Sequence, residues 1–457
     1  MASSALTVIV GAGISGLTCA YSLQKKGHNA LLLEASSRPG GVIQSVSEDG
    51  YLFELGPQSF TSTVALVQLC DDLSLAGEII EAPRASPRFI LVAGKLVAVP
   101  ISPSNFLTSS LLSWKTKLAI LTEVLRTSHP PPSDESIAAF TRRKFSPELL
   151  DHLVAPFVSG IYAGDPEQIS LRAAFPKIHE AERSAGSIVR GMFRAAKSRK
   201  SSPIVNRPRG RLLSFRTGNE ALVCMLAKRV GSGLRRNAAV DSIKKTKQGF
   251  VLGTGGLESE EIYCDRLVLA TPTNVAASLL AELAPEAATF LREINYAPVA
   301  VVSLAYRRDQ VHHPVEGFGF LIPRSAGIRT LGTVWNSSQF SNRAPQDHVL
   351  LTSFIGGATD TGAANFSDGE LSATVHREIS AVLGISGQPA KKRVTVYQAA
   401  IPQYNLGHTD RLRKIREAVR RVPGLWLTGN YLQGPAIGAC IEDALSVAEG
   451  IRISYNS

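Results

Sequence analysis

The first 34 residues contain the pattern that most restricts what this chain can fold into. Residues 6–10 are apolar and rich in β-branched side chains, which predicts a buried strand. The stretch Gly11-Ala-Gly13-Ile-Ser-Gly16 follows at once, and residues 17–23 have the apolar spacing of a helix. Residues 30–33 predict a second buried strand, which ends at Glu34. This order predicts a strand, turn, helix and strand that form one unit of a parallel sheet.

The spacing of these glycines is typical of a turn that binds a dinucleotide. Glycine permits a tight turn and lets a pyrophosphate approach the exposed N–H groups at the positive end of the helix. Glu34 stands 18 residues after Gly16, at the position from which a carboxylate bonds a ribose hydroxyl. An acid there disfavours a 2′-phosphate, and therefore NADP. A glycine turn without a ligand is the alternative, and the strand before it and the helix after it argue against that alternative.

The next stretch separates FAD from NAD, and it reads Glu34-Ala35-Ser-Ser-Arg38-Pro-Gly40-Gly41-Val42. Two successive glycines let the backbone lie against a second part of a long cofactor, and Arg38 can approach the diphosphate. The arrangement resembles the flavin-dependent amine oxidase and porphyrinogen oxidase superfamily. A plain NAD dehydrogenase has no need for it, so we expect FAD. No cysteine stands where related amine oxidases attach flavin covalently, and the FAD is therefore expected to be non-covalent.

Seven further motifs, in order along nearly the whole chain, resemble the protoporphyrinogen and coproporphyrinogen III oxidase family. They are Phe53-Glu-Leu-Gly56-Pro57-Gln58-Ser59-Phe60, Phe157-Val-Ser-Gly-Ile-Tyr-Ala163-Gly164-Asp165-Pro166, Thr330-Leu-Gly-Thr333, Asn342-Arg-Ala-Pro345, Ile355-Gly-Gly-Ala358, Ala400-Ile-Pro402-Gln403-Tyr404 and Gly429-Asn430-Tyr431. The resemblance implies a Rossmann-like FAD-binding domain assembled from discontinuous segments, with a mixed-sheet substrate domain and an α-helical insert. The fold class expected is therefore α/β.

The resemblance also implies the FAD contacts. Two of them depart from the common family pattern: Gln58 stands where Asn is frequent, and Pro435 stands where Val is frequent. Because proline has no N–H, the amides of Ala436 and Ile437 would serve the flavin carbonyl. The full expected set is Gly11, Gly13, Ile14, Ser15, Gly16, Glu34, Ala35, Arg38, Gly41, Val42, Gly56, Pro57, Gln58, Ser59, Val240, Tyr397, Gly429, Asn430, Pro435, Ala436 and Ile437.

The reaction implied is a six-electron oxidation of protoporphyrinogen IX to protoporphyrin IX. In each of three rounds a hydride leaves a bridge carbon for FAD and a proton leaves a pyrrole nitrogen, and O2 reoxidises the cofactor to give H2O2. No catalytic side chain is expected. Coproporphyrinogen III is the alternative substrate, because the motifs do not separate the two. The substrate residues implied are Arg88, for a propionate, and Gly164, Leu331 and Phe354; a surface arginine, a turn glycine and ordinary core residues are their simpler interpretations.

The implied domains are discontinuous. Residues 1–75, 206–296 and 404–457 are assigned to the FAD-binding domain; 76–100, 190–205 and 297–403 to the substrate-binding domain; and 101–189 to a helical insert. Residues 102–129, with a broad apolar helical face between Leu111 and Leu125, match the family's membrane-binding insert; a helix packed within its own domain is the alternative. A second copy of this chain is a further candidate partner, which would make the protein a homodimer.

Composition and charge restrict the remaining possibilities. The 457 residues, 44% apolar and 19% charged, indicate a soluble globular protein of about three units. The net charge of +11 favours phosphates, anionic lipid or a carboxylate-rich substrate, and nine basic residues with no acid lie between residues 190 and 216. That run contains only two aromatics, which argues against nucleic acid as a partner. Five widely spaced cysteines show no metal pattern, so we expect no metal.

The location expected is cytoplasmic, with peripheral contact on the inner face of the membrane as an option. No stretch of about 18 apolar residues and no signal peptide are seen. Within enzymes, a flavin amine oxidase or a polyene desaturase is the less favoured alternative, since residues 157–166 and 400–404 have no place in the amine oxidase pattern. A flavoprotein scaffold without activity is a further alternative, opposed by the intact turns at 56–59 and 429–437.

Overall fold

The structure is a computed structural model that describes residues 5–84, 86–200, 210–255 and 260–456. These residues form a mixed α/β fold with five sheets. The predicted segment with nine basic residues lies partly outside them, as does the predicted boundary between residues 205 and 206. No helix within the described ranges is long and apolar enough to span a bilayer.

The strands range from two to 12 residues in length. In chain order they are β1 Leu6–Val10, β2 Asn29–Leu33, β3 Ser45–Glu48, β4 Tyr51–Glu54, β5 Phe60–Thr61, β6 Ile79–Glu81, β7 Arg88–Val92, β8 Lys95–Ala98, β9 Leu212–Phe215, β10 Leu234–Arg235, β11 Ala239–Lys245, β12 Phe250–Gly255, β13 Glu261–Cys264, β14 Arg266–Leu269, β15 Tyr296–Arg307, β16 Gly319–Leu321, β17 Thr330–Trp335, β18 His348–Gly356, β19 Lys391–Pro402 and β20 Leu425–Leu427.

The helices range from one turn to 20 residues. In chain order they are α1 Ile14–Lys25, α2 Val64–Asp72, α3 Pro103–Thr108, α4 Trp114–Leu121, α5 Ile137–Lys144, α6 Pro147–Leu149, α7 Ala155–Tyr162, α8 Leu171–Ala174, α9 Pro176–Ala185, α10 Ile188–Lys200, α11 Glu220–Val230, α12 Thr273–Leu279, α13 Pro285–Arg292, α14 Asn336–Gln339, α15 Asp368–Leu383, α16 His408–Arg420 and α17 Ile437–Asn456. A π-helical turn, Leu150–Val154, joins α6 to α7.

A five-stranded parallel sheet forms the dinucleotide-type core, in the order β10-β2-β1-β14-β20. Its strands come from both ends and from the middle of the chain, as predicted. Because parallel strands are buried on both faces, β1 and β14 are mostly apolar, with Thr7 and Arg266 as their polar residues. Helix α1 packs against α17, the last helix of the chain, which brings the two chain ends together over one core. The predicted discontinuous α/β fold is confirmed.

A seven-stranded mixed sheet forms the second layer, in the order β19-β15-β18-β17-β16-β7-β8. All its pairings are antiparallel except that of β16 with β7. One face is covered by α15, whose residues Leu371, Val375 and Ile379 pack on alternate strand residues such as Leu304 and Leu351. Because successive strand residues point to opposite faces, the residues between them form the other face. We call this second face the substrate face.

The helical insert holds α3 to α10, with differences from the predicted bounds. The predicted helical face between Leu111 and Leu125 is interrupted: Leu111 and Leu112 are buried before α4 begins, and α4 ends in a 3₁₀ turn, Thr122–Leu125. The helix α10 packs on α9 and runs across the predicted boundary between residues 189 and 190. The other domain bounds stay predictions.

The apolar spacing of residues 234–243 predicts one continuous strand, and this prediction is wrong. In the structure β10 pairs with β2 in the parallel sheet, whereas β11 begins a separate antiparallel sheet with β12. Asn237, with φ of 55°, makes the turn between them. Apolar spacing does not signal a left-handed residue between two short strands, which explains the difference.

Candidate functional site

The glycine turn of residues 11–16 lies between β1 and α1, as predicted. Gly11 has φ of 100°, and a Cβ on Gly16 would stand 1.9 Å from the Gly11 oxygen. At Gly13, by contrast, a Cβ would meet no heavy atom of the described residues within 4 Å. The helix then begins without a side-chain cap, whereas Thr63 caps α2. Open space beside uncapped N–H groups fits a bound pyrophosphate.

Glu34 ends β2 beside this turn. Its Oε2 accepts the N–H of Ala12 at 2.7 Å, and its Oε1 accepts the N–H and the hydroxyl of Ser36, at 2.9 and 2.7 Å. The Glu34 N–H bonds the Arg235 oxygen at 2.9 Å, which draws the segment before β11 to this edge. The Ala238 N–H bonds the Glu34 oxygen at 2.9 Å, and Val240 stands two residues further along the chain, in β11. The carboxylate is fixed in place and keeps free lone pairs for a ribose.

The Gly40-Gly41 turn lies directly on the glycine turn. The Gly40 N–H bonds the Ala12 oxygen at 2.7 Å, and a Cβ on Gly41 would stand 3.6 Å from the Gly13 Cα. Arg38 is used differently from the prediction. Its guanidinium donates to the Pro39, Gly41 and Ile43 oxygens and lies 3.4 Å from Glu220. In the structure Arg38 stabilises the turn itself, and its direct approach to a diphosphate stays a prediction.

Three residues that are distant in sequence meet where the flavin ring is expected. A Cβ on Gly56 would stand 2.0 Å from the Val42 oxygen, so the two backbones touch. The Tyr397 hydroxyl donates to that same oxygen at 3.5 Å. Val42 is 41% exposed, unusual for valine in such a well-ordered turn. The structure thus gathers Val42, Gly56 and Tyr397 at one place, between the parallel sheet and the substrate face.

The Gln58 side chain is buried and fully engaged by protein groups. Its Nε2 donates to the Glu54 and Gly56 oxygens, both at 2.9 Å, and its Oε1 accepts the Asn336 amide at 2.7 Å. The Pro57 oxygen accepts the Asn219 amide at 2.7 Å. The turn of residues 56–59 is therefore held from two sides. If it contacts FAD, it does so with groups other than the Gln58 amide.

The C-terminal turn completes the candidate site. Gly429 has φ of 154°, and its N–H lies 3.4 Å from the Asp443 carboxylate. The Asn430 side chain accepts the Tyr296 hydroxyl at 3.2 Å. The segment Pro435–Ala436 leads into α17, which begins at Ile437. The packing of α1 against α17 brings this helix start close to the glycine turn, and Cys440 is a buried residue of that contact.

His408 packs below this turn and makes stability depend on pH. It is 1% exposed, its ring stacks on Tyr404 at 4.2 Å, and its Nε2 bonds the Tyr431 oxygen. Burial lowers the pKa of His408 from 6.5 to about 4. The unfolded chain therefore binds more protons at this site between pH 6.5 and 4, and stability is lost as pH falls through that window.

We expect acidification to destabilise the natural chain more than a His408→Gln variant. Lowering the pH from 7 to 5 should cost about 2 kcal/mol of unfolding free energy that the variant does not lose. Denaturant unfolding of both proteins at the two pH values measures this difference, and other titrating groups cancel in the comparison. Equal losses in both proteins would contradict the assignment.

Arg88, Phe354 and Tyr397 share the substrate face. Phe89 packs on Trp335, in the core under α15, with ring centroids 5.4 Å apart; Arg88, its neighbour on β7, therefore points to the opposite face. The Arg88 guanidinium lies 5.1 Å from the Phe318 ring, is exposed, and has no ion pair within the described residues. It is thus available to a carboxylate.

Leu331 and Gly164 lie at the far end of this face. The register between β17 and β18 shifts between Thr330 and Gly332, so Leu331 has no paired residue on β18. Leu331 packs in one cluster with Phe354 and Ala163. A Cβ on Gly164 would stand 2.8 Å from the Gln403 Oε1, so packing alone explains the glycine. The structure brings the four predicted substrate residues to one side of the large sheet, and their contact with substrate stays a prediction.

Sequence reasoning missed several residues of this region. Val334 and Thr352 are opposite each other on β17 and β18, in the same strand row as Arg88. Alternation around Phe354 would have indicated Thr352. Asn219 and Asn336, which contact the 56–59 turn from far away in sequence, have no local signal that would have found them.

Comparisons with known proteins agree with this geometry. Residues 14–452 match the model of the family described as flavin containing amine oxidoreductase. Protoporphyrinogen oxidase 1, chloroplastic, of Arabidopsis thaliana is 36% identical, over 96% of this chain and 87% of that protein. Coproporphyrinogen III oxidase of Bacillus subtilis is 29% identical, over 95% of each chain. A solved structure from Exiguobacterium sp. 255-15, provisionally named a protoporphyrinogen oxidase, has a TM-score of 0.83, 27% identity and 99% coverage of both chains.

These matches span nearly the full length of this chain and of its relatives, and they confirm the predicted family and cofactor. The open cradle at Gly13, the fixed Glu34 carboxylate and the uncapped start of α1 are features that FAD binding requires. The chain therefore belongs to the family of flavin-containing amine oxidoreductases, with protoporphyrinogen and coproporphyrinogen III oxidases among its relatives, and it is an oxidoreductase whose cofactor is FAD.

Proposed function

We propose that this chain oxidises protoporphyrinogen IX to protoporphyrin IX, with O2 as the final acceptor and H2O2 as the second product. The observation that carries the proposal is the exposed Arg88, without an ion pair in the described part of the chain, on the sheet face that also carries Phe354 and Tyr397. A largely apolar macrocycle with carboxylate side chains matches such a face. The names of the relatives support the same substrate class.

The residues of the chain bind and orient the macrocycle. Bound FAD supplies the two-electron acceptor for each hydride. The Arg88 guanidinium holds a propionate, and Phe354 and Leu331 form an apolar wall that excludes water. The rate of hydride transfer then depends mainly on how the bridge carbon is positioned against the flavin, because no side chain has to transfer a proton at that carbon.

Coproporphyrinogen III is the second candidate substrate. It is supported by the Bacillus subtilis relative, which carries that name and matches 95% of this chain. Protoporphyrinogen IX is favoured because the relatives with that name reach 36% identity, against 29%.

Anaerobic reduction of the purified holoenzyme tests the proposal. Each porphyrinogen is added in turn, bleaching of the flavin absorbance is followed, and porphyrin fluorescence is recorded after air is admitted. Fast bleaching by protoporphyrinogen IX is the expected result. A strong preference for coproporphyrinogen III would select the second candidate, and a yellow protein that neither compound bleaches would contradict the porphyrinogen assignment.

We further propose that the helical insert binds a membrane surface peripherally. Helix α4 and the turn after it expose a large apolar side chain at each of positions 114, 118, 121 and 125, which is one helical face. Leu118 is 61% and Leu125 is 79% exposed, while Lys117 and Glu123 of the same segment are buried. Met192 on α10 is also exposed, and α10, which contacts the 3₁₀ turn after α4, is basic.

The double variant Leu118→Ser/Leu125→Ser is expected to bind phosphatidylglycerol vesicles at least about tenfold more weakly than the natural chain, because two apolar side chains are lost from the lipid contact. Vesicle sedimentation measures this. Tyr263→Ser, which removes an exposed aromatic from β13, is the control and should bind unchanged. Equal binding by the double variant would contradict the proposal.

We also propose that the chain forms a homodimer and that it is located in the cytoplasm. Sedimentation velocity tests the dimer, and cell fractionation tests the location.

A further inference from the structure

The motif Asn342-Arg343-Ala-Pro345 has no role in the site described so far. It lies in the connection between β17 and β18, two neighbouring strands of the large sheet. This connection leaves the sheet and packs on the β3-β4 hairpin, where the Leu52 N–H bonds the Arg343 oxygen at 3.1 Å. It begins with α14 at Asn336, so it carries two polar side chains from the substrate-binding sheet toward the 56–59 turn.

Asn336 orients the Gln58 amide. The Asn336 Nδ2 donates to the Gln58 Oε1 at 2.7 Å, and both residues are buried. With its oxygen so engaged, Gln58 directs its Nε2 to the oxygens of Glu54 and Gly56. Each of these three hydrogen bonds requires the same amide orientation. The Asn336 donor therefore determines how Gln58 holds the Gly56 peptide.

Arg343 supports the same turn from below. It is fully buried, donates to the Ser214 hydroxyl, and lies 3.4 Å from the Glu54 carboxylate. Glu54 also accepts the Asn219 N–H at 2.9 Å, and the Asn219 amide in turn donates to the Pro57 oxygen. A buried cation is costly to maintain unless it is paired, and here its partner is Glu54, two residues before the turn.

We propose that Asn336 and Arg343 are positioning residues that hold the 56–59 turn at a defined place relative to the substrate face. The inference rests on the proposed contact of this turn with FAD. It adds that the large sheet carries not only the substrate wall but also the supports of the flavin turn. Hydride transfer depends on reacting atoms about 3–3.5 Å apart, and a rigid link between the two layers maintains such a distance.

Asn336→Asp is the sharpest test, because it keeps the shape of the side chain and replaces the Nδ2 donor with an acceptor oxygen that carries negative charge. The carboxylate would face the Gln58 Oε1, and Gln58 would have to turn over and lose its bonds to Glu54 and Gly56. We expect the dissociation constant for FAD to rise about tenfold, the visible circular dichroism of bound flavin to change, and kcat to fall while the KM for porphyrinogen stays constant. Asn336→Ala should change the same quantities less.

Ser338→Ala is the matched control. It removes one side-chain hydrogen bond of the same short helix, to the Val315 oxygen, away from the turn. We expect this variant to keep the flavin spectrum and FAD affinity of the natural chain. The inference is overturned if Asn336→Asp binds FAD with natural affinity and spectrum while its apoprotein melts at a lower temperature, since the role would then be structural only.

A Gly56→Ala measurement separates failure of the inference from failure of its premise. If Gly56→Ala loses FAD and Asn336→Asp does not weaken it, the turn binds FAD and the positioning role is overturned. If both variants bind FAD as the natural chain does, the turn is not part of the FAD site, and the inference is overturned together with that assignment.

Discussion

Gly56→Ala is expected to purify without FAD. An added Cβ would stand 2.0 Å from the Val42 oxygen, and that oxygen belongs to the backbone, which cannot move aside as a flexible side chain does. The two segments at the expected flavin ring must then separate, which we expect to weaken FAD binding more than about 100-fold. The ratio of flavin to protein absorbance after purification, and titration of the apoprotein with FAD, measure the loss.

Gly77→Ala is the control for this change. Its Cβ would meet no heavy atom of the described residues within 4 Å, and Gly77 lies outside the candidate site. It should retain FAD, which separates a local effect of Gly56 from a general effect of replacing glycine. Full FAD content in Gly56→Ala, with an unchanged spectrum, would contradict the placement of the flavin at the Val42–Gly56 contact.

Arg88→Ala is expected to lower kcat/KM for the porphyrinogen by roughly 10- to 100-fold, mainly through KM. Hydrogen bonds from a guanidinium to a carboxylate are worth about 1.5–3 kcal/mol, and Arg88 has no ion pair of its own in the described ranges to lose on binding. Its ring neighbour Phe318 orients the guanidinium. Anaerobic flavin bleaching at several substrate concentrations measures the change, while FAD content should stay constant.

Arg88→Lys should recover part of the loss, because lysine keeps the charge but not the two-pronged geometry. Arg84→Ala is the control, since Arg84 is a nearby exposed arginine whose ion pair with Glu81 is at the surface. We expect no effect from it. If Arg88→Ala kept the kcat/KM of the unsubstituted chain, Arg88 would not contact the substrate, and another cation would have to bind the propionates.

Much of the FAD-binding part was predictable because its signals are local. A short apolar strand, glycines at fixed spacing and an amphipathic helix each depend on neighbouring residues, and β1, α1 and β2 were predicted accordingly. The broken helix near residue 112 and the strand change near residue 237 were missed. In both places tertiary packing outweighs apolar spacing: Leu112 is buried in the insert, and β10 joins β2.

The candidate site was predictable in its residues more than in their arrangement. Arg38 was identified as a cofactor residue, yet its guanidinium is bound to its own turn. Gly164 was identified as a substrate position, yet close packing on Gln403 already explains it. In each case the residue type was informative, whereas its hydrogen-bond partners depend on chain segments elsewhere.

The α/β class and the dinucleotide turn could be predicted from the sequence, because glycine spacing acts through local backbone geometry. FAD and the family were predicted from the resemblance of ordered motifs to known proteins. Which residues meet depends on the tertiary structure. It brings Tyr397 to Val42 and Asn336 to Gln58, the latter across 278 residues. Such contacts arise because two sheets pack against each other. The spacing of apolar residues along the chain does not indicate which side chains face one another across that packing.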